Sequence, residues 1–263
     1  MPYEYYRQGL SARDRDVYDS ILSGWLCLSE RISVRHGYGY TPDFDKIVHA
    51  LHLDHPEVFW VDLFEGVRIT TQSYSNVFCI TTERSELLFK PFYMKKSEIQ
   101  DFRKALQTWS RSVISSMPSG LSDSKKYWYI MDYLSRSVSY GELCTRTGHT
   151  VLGCIPEGGR TAVCQGIAYG FKFLCDILHL PCITVEGTLA DDETKVEENH
   201  AWNIILLYGQ YRHLDATGEI QFTRSLGHAR SGRIILTDEE ALKEGYRWRK
   251  EQVPACVRIT EMA

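Results

Sequence analysis

The sequence predicts an α+β protein, on three observations. Helical periodicity is clearest over Gly158–Leu180, where Ile167, Ala168, Phe171, Leu174, Cys175 and Leu178 share one face. A run rich in β-branched and aromatic residues with polar breaks covers Val58–Tyr93. A third stretch, Cys182–Ala216, reads as strands, two of them joined by a tight turn.

With 263 residues the chain holds one large domain or two small ones. Its 43% apolar and 24% charged content are ordinary for a globular protein. The net charge is −4, and no run of Lys and Arg is present, so nucleic acid and anionic membranes are not expected partners. The first residues lack an apolar signal core, and no later apolar run is long enough to span a bilayer. A cytoplasmic location is the default expectation, with secretion open if a leader has been trimmed. The eight cysteines include no C-x-x-C pair, which points to reduced thiols rather than zinc or a disulfide scaffold. No cofactor and no metal is expected, and the sequence leaves the oligomeric state open.

Taken in order, residues 12–36 read as one helix, with Val17, Ile21, Leu22, Trp25, Leu28 and Ile32 in a stripe. Asp43–Leu53 reads as a second. His49, His52 and His55 recur there at steps of three, but Pro56 disfavours helix at His55 and the steps rotate the rings apart, so packing roles are favoured over a metal. VFWVDL, VRITTQ, NVFCITT and ELLFKPFYM then predict a small antiparallel sheet. Helices follow over Ser97–Met117 and after Ser122-Asp123, a capping pair. Residues 139–160 read as loop and turn. A helix opening at Cys164 ends at Leu180-Pro181. Cys182–Glu186, Asn199–Leu207 and Gln210–Ala216 are strand candidates, and the acidic insert Gly187–Glu198 reads as a solvated loop. There Asp191-Asp192-Glu193 is a conceivable cation contact. Ile234–Leu236 is a last short strand before a polar tail. The weakest division separates residues 1–93, helices with a small sheet, from residues 94–263.

Cys164 falls in the first turn of its helix, where free N–H groups and the positive end of the macrodipole favour a thiolate. A small buried apolar side chain is the alternative. The hairpin sharpens the choice. A type I′ turn at Tyr208-Gly209 sets Leu207 opposite Gln210 and Trp202 opposite Asp215. His200 and Asp215 are then diagonal neighbours on one face, whereas a turn at Gly209-Gln210 would slide them apart. A nucleophilic thiol needs a base, and the base an orienting partner.

V-C-Q-G-x-A at Val163–Ala168, V-x-G at Val185–Gly187, H-A-W-N at His200–Asn203 and L-D-x-T at Leu214–Thr217 resemble the core of the transglutaminase-like superfamily. The likeness is to the bacterial branch related to kyphoscoliosis-type peptidases. It is specific over about residues 125–217 and looser elsewhere. It departs at Ile167, where an aromatic is usual, and at Gly218, where tryptophan often follows. The resemblance implies a papain-like α+β fold, with the nucleophile helix packed on an antiparallel sheet. Cys164 would be the nucleophile, His200 the base and acid, and Asp215 the orienter. The implied chemistry is acyl transfer or hydrolysis at an amide of a protein or peptide. The oxyanion would take the Cys164 N–H and a second donor, for which Tyr140, Gln165 and Trp202 are candidates. A binding or scaffold module that keeps the fold without turnover is the alternative.

Overall fold

A computed structural model describes residues 2–37, 39–61, 67–74, 82–89, 94–141, 145–190, 196–220 and 235–257. The chain forms two compact units, residues 4–101 and residues 102–263 with the N-terminal residues through Tyr3. Among the described residues, no helix is long and apolar enough to cross a membrane.

In the first unit, α1 (Tyr5–Gln8) leads into α2 (Ala12–Leu26), whose N-cap Ser11 accepts from the Asp14 N–H. Val17, Tyr18, Ile21 and Trp25 form its buried stripe. The expected helix over 12–36 stops there. Leu28 takes a φ of 56°, and Arg31–Gly37 becomes strand β1 with strictly alternating burial. Ile32 and Val34 therefore face inward with a period of two, which overrides the helical spacing that linked Ile32 to α2. α3 (Phe44–Asp54) is capped by Asp43, whose side chain accepts from the Lys46 N–H.

β2 (Val67–Tyr74) and β3 (Thr82–Phe89) complete an antiparallel sheet in the order β1-β3-β2. The segment VFW at 58–60 is buried but not a strand, a correction of the expected first strand. The run NVFCITT lies outside the described residues apart from Thr82.

The second unit is built around one helix and one sheet. α4 (Lys96–Ser115) buries Ile99, Leu106, Trp109 and Val113. α5 (Asp123–Ser137) starts after Ser122, whose hydroxyl turns to Ser124 instead of capping the backbone. Residues 139–160, expected as loop, open with the short strand β4 (Ser139–Tyr140), parallel to β5 (Thr161–Ala162), and fold between into three 3₁₀ turns.

α6 (Cys164–Ile177) follows β5 directly. Every residue from Gly166 to Asp176 is buried, so this helix is enclosed rather than amphipathic. Lys172 is tolerated inside because its Nζ bonds both Asp176 oxygens, at 3.1 and 3.0 Å, and the carbonyls of Tyr3 and Cys182. The helix ends before Leu180-Pro181, at a turn where His179 has a φ of 56°.

The sheet has the order β10-β6-β7-β8-β9. β6 (Cys182–Ala190) and β7 (Glu197–Leu207) pair antiparallel from Cys182–Ile205 to Ala190–Glu197, so the expected loop over 187–198 is strand at both of its ends. Its acidic tip, Asp191-Asp192-Glu193, lies outside the described residues. β8 (Gln210–Leu214) returns through a two-residue turn, and a helical turn α7 covers 216–220. The polar tail is structured: β9 (Ile235–Leu236), α8 (Asp238–Lys243) and β10 (Tyr246–Trp248) follow. The fold is α+β, with helices interspersed among mainly antiparallel strands.

Candidate active site

Cys164 is the first residue of α6, with Val163 as its extended N-cap. The first N–H groups of a helix have no acceptor within it, so they surround the thiol with donors. Gly166 explains the spacing of V-C-Q-G. A Cβ there would meet the carbonyl oxygen of Gly148 at 2.2 Å, so only glycine lets the preceding turns close over the helix start. Cys164 is half-buried, whereas Cys154, Cys175, Cys182 and Cys256 are buried.

The hairpin adopts the first of the two turns considered. Tyr208 and Gly209 have φ of 50° and 78°, and Leu207 pairs with Gln210. The ladder runs to Asn203–Leu214, one step short of Trp202 and Asp215. His200 Nε2 then lies 2.8 Å from Asp215 Oδ2. The Cys164 sulfur is near enough to the same ring to help raise its pKa. The three residues are thus brought together from a helix start, a strand and a strand end.

Electrostatics follow from this enclosure. Burial alone would lower the His200 pKa, but the Asp215 carboxylate and the Cys164 sulfur outweigh it, and the imidazole is pushed up to about 10. Burial would raise Asp215, yet His200, the Tyr246 hydroxyl and the Thr217 N–H hold it below the usual carboxylate range. Tyr246 donates to Oδ2 at 2.7 Å, and the N–H groups of Thr217 and Gly218 donate to Oδ1 at 2.8 and 3.3 Å. The pair is therefore charged from below neutrality to about pH 10. The sign is clear on both limbs. His200, raised in the fold, loses its stabilising contribution as pH climbs through about 10, and Asp215, lowered, loses its own as pH falls.

The three candidate oxyanion donors sit differently. Gln165 donates to Glu186 at 3.2 Å and Tyr169 at 3.4 Å, and its carbonyl oxygen contacts His149 Nδ1 at 3.2 Å. Trp202 is buried and its indole N–H donates to His213 Nδ1 at 2.9 Å. Both donors thus have other acceptors. Tyr140, half-buried in β4, pairs with Ala162, just before the helix.

An aromatic wall backs the histidine. The His200 and Trp202 rings stack at 5.9 Å and 19°, and Tyr246 packs against both at 5.9 and 5.1 Å. Gly187 makes room for it, because a Cβ there would meet the Arg247 carbonyl at 2.0 Å and the Trp202 ring at 2.9 Å. The sequence reading missed Tyr246. The Y-x-W alternation at 246–248 was its available signal, masked by a surrounding run of charged residues.

Among the described residues, His213, Asp238 and Cys256 form the one trio of ligand-type side chains whose atoms all lie within 4.8 Å of one another. His49, His52 and His55 are not so grouped, and His55 ends α3 with its Nδ1 2.8 Å from Glu57.

No protein family model and no curated protein matches this sequence. Similar solved structures include a protein described as a candidate cysteine protease from Cytophaga hutchinsonii, at 15% identity and a TM-score of 0.36, covering 58% of this chain and 64% of that one. A structure described as a TGase has 14% identity and a TM-score of 0.39, covering 76% and 53%. A candidate protease from Parabacteroides distasonis has 9% identity and a TM-score of 0.30, covering 71% and 40%. This chain thus spans less than two thirds of the length of each. In the order of its elements, the second unit has a helix opening on Cys164, followed by an antiparallel hairpin that carries His200 and leads to Asp215.

Proposed function

We propose that the protein is a cysteine-nucleophile enzyme acting on an amide of a protein or peptide substrate, through Cys164, His200 and Asp215. The observation that carries this reading is the His200 ring, bonded to a buried carboxylate at 2.8 Å and influenced by the nearby Cys164 sulfur.

With His200 charged at neutral pH, the general acid stands ready beside the Cys164 sulfur. The thiolate attacks the amide carbonyl carbon. The oxyanion takes the free Cys164 N–H at the helix start. Breakdown of the tetrahedral adduct breaks the C–N bond, and the His200 imidazolium gives its proton to the departing amine or ammonia. His200, now neutral, accepts a proton from the water that attacks the thioester; the C–S bond breaks, sulfur leaves as a thiolate beside the imidazolium, and the acid is released. A lysine amine in place of water would yield a new amide instead. Hydrolysis is the favoured outcome, because the sequence points to no dedicated amine site.

The test is limiting iodoacetamide at about pH 6, where an ordinary thiol is almost wholly protonated. Exposed Cys27 serves as the internal control. Selective labelling of Cys164, lost in His200→Ala, is expected. Labelling no faster than Cys27 sinks the reading and favours a binding module. In a turnover assay on a peptide or glutamine amide, Cys164→Ala is expected to be inactive and folded.

A further inference from the structure

His213, Asp238 and Cys256 are spaced like metal ligands, but their hydrogen bonds argue against an ion. An indole N–H can only donate, so the 2.9 Å contact from Trp202 fixes His213 Nδ1 as an acceptor. In a neutral imidazole the proton is then on Nε2, where it is donated to Asp238 Oδ1 at 2.9 Å. A metal on Nε2 would move that proton to Nδ1, against the indole N–H. The trio is better read as a clamp on a single tautomer.

We propose that His213, braced by Asp238, is a positioning residue for the His200–Asp215 pair: it sets the rotation of the Trp202 indole, which lies flat against the His200 ring. The proposal rests on the function assigned above. His213 pairs with Ile204, and alternate residues of β7 return through Trp202 to His200, so the two imidazoles share one face of the hairpin.

The brace is itself rigid. Asp238 opens α8 behind a capping box in which Thr237 and Glu240 hold each other's backbone N–H, and the Asp238 N–H bonds the Cys256 carbonyl at 2.7 Å. Trp248 closes on His213 with ring centroids 4.5 Å apart. The groups facing His213 are therefore Asp238 from α8, Cys256 from the C-terminal segment, Trp202 from β7 and Trp248 from β10. Burial pulls the His213 pKa below its ordinary value against the opposing pull of Asp238, so this ring is neutral where His200 is charged. Without the clamp the indole can turn and water reaches His200. Burial and the attraction of Asp215 then both weaken, and His200 returns toward its ordinary value.

The test reads histidine ring nitrogens by NMR across a pH titration, alongside the alkylation rate of Cys164. In wild type, His213 is expected as the neutral Nε2–H tautomer at pH 7. His213→Leu is expected to lower the His200 pKa by at least about one unit and to slow Cys164 alkylation at pH 6 roughly 10-fold. His213→Asn, which keeps an acceptor for the indole, restores most of both. In a Trp202→Phe background, which lacks the indole N–H, His213→Leu changes neither readout further.

The proposal is overturned if His213 in wild type is the Nδ1–H tautomer or charged at pH 7. It is also overturned if a folded His213→Leu leaves the His200 titration unchanged, or if its effect persists in the Trp202→Phe background. Should His213→Leu fail to fold, Asp238→Asn replaces it, with a smaller shift of the same sign expected and no shift overturning the link. If Cys164 labels no faster than Cys27 while His200 still shifts with His213, the proposed activity falls and the positioning link stands.

Discussion

In the unit of residues 4–101, the buried Asp54 accepts from the N–H groups of Tyr6 and Arg7, at 3.1 and 2.9 Å, and from the Tyr18 hydroxyl at 3.0 Å. In the other unit, the buried Asp215 accepts from the N–H groups of Thr217 and Gly218 and from the Tyr246 hydroxyl. Burial first, and the adjacent carboxylate second, push both phenols well above their ordinary pKa. The two carboxylates thus share a cradle of two amides and a phenol. They differ in the imidazole beside them. His55, next to Asp54, turns its Nδ1 to Glu57, whereas His200 bonds Asp215 directly and lies under the influence of the half-buried Cys164 sulfur. A buried aspartate with satisfied oxygens is therefore a fastening. It becomes chemical when one of its partners can also hold a nucleophile.

That comparison can be broken in four places. The largest effect is expected at Asp215→Asn, which should reduce turnover on the order of 10⁴-fold by losing the charge and the ring tautomer it enforces. Unchanged kcat/KM would remove Asp215 from the site. Asp54→Asn is expected to cost about 3 kcal/mol of stability by urea denaturation, since an amide in place of the carboxylate leaves buried donors opposed. The Cys164 alkylation rate should not move, and a parallel loss of reactivity would show that the two aspartates do not act separately.

Tyr246→Phe removes one of the charge-assisted hydrogen bonds to Asp215, and about a 10-fold fall in kcat with KM unchanged is expected, with the low-pH limb of activity moving up. The smallest effect concerns His55. Its pKa is raised, because its hydrogen bond to Glu57 and the charges of Glu57, Asp54 and Glu4 exceed the penalty of burial. Its stabilisation is thus full below the unfolded value and lost as pH rises through the folded one. Stability curves of wild type and His55→Gln should converge at high pH and separate at low pH.

The site was more legible in the sequence than its surroundings. The place of Cys164 at a helix start and the meeting of His200 with Asp215 were readable because a helix start and a two-residue turn are local signals, and a register follows from them by counting. What was missed depended on pairing between distant segments. Arg31–Gly37 looked helical because Ile32 happened to extend the stripe of α2, and only its partner β3 makes it a strand. Tyr246–Trp248 looked like a polar tail because a three-residue strand gains its meaning from β6, nearly sixty positions earlier. The buried Lys172 likewise depends on distant segments, since the carbonyls that satisfy it come from Tyr3 and Cys182.

The turn at Tyr208-Gly209 makes the protein's chemistry a matter of parity. Fifteen positions separate His200 from Asp215, and a loop of two residues folds that interval so that both land on one side. One extra residue in the loop would leave every side chain of the site present while moving Asp215 out of step with His200. Tyr208 is 88% exposed and its hydroxyl reaches Ser124 at 3.3 Å, whereas His213 and Leu214 further along β8 are buried and would change faces with the slip. An insertion at the turn is expected to separate Asp215 from His200, and removing a second residue to bring them back, much as a reading frame is lost and recovered.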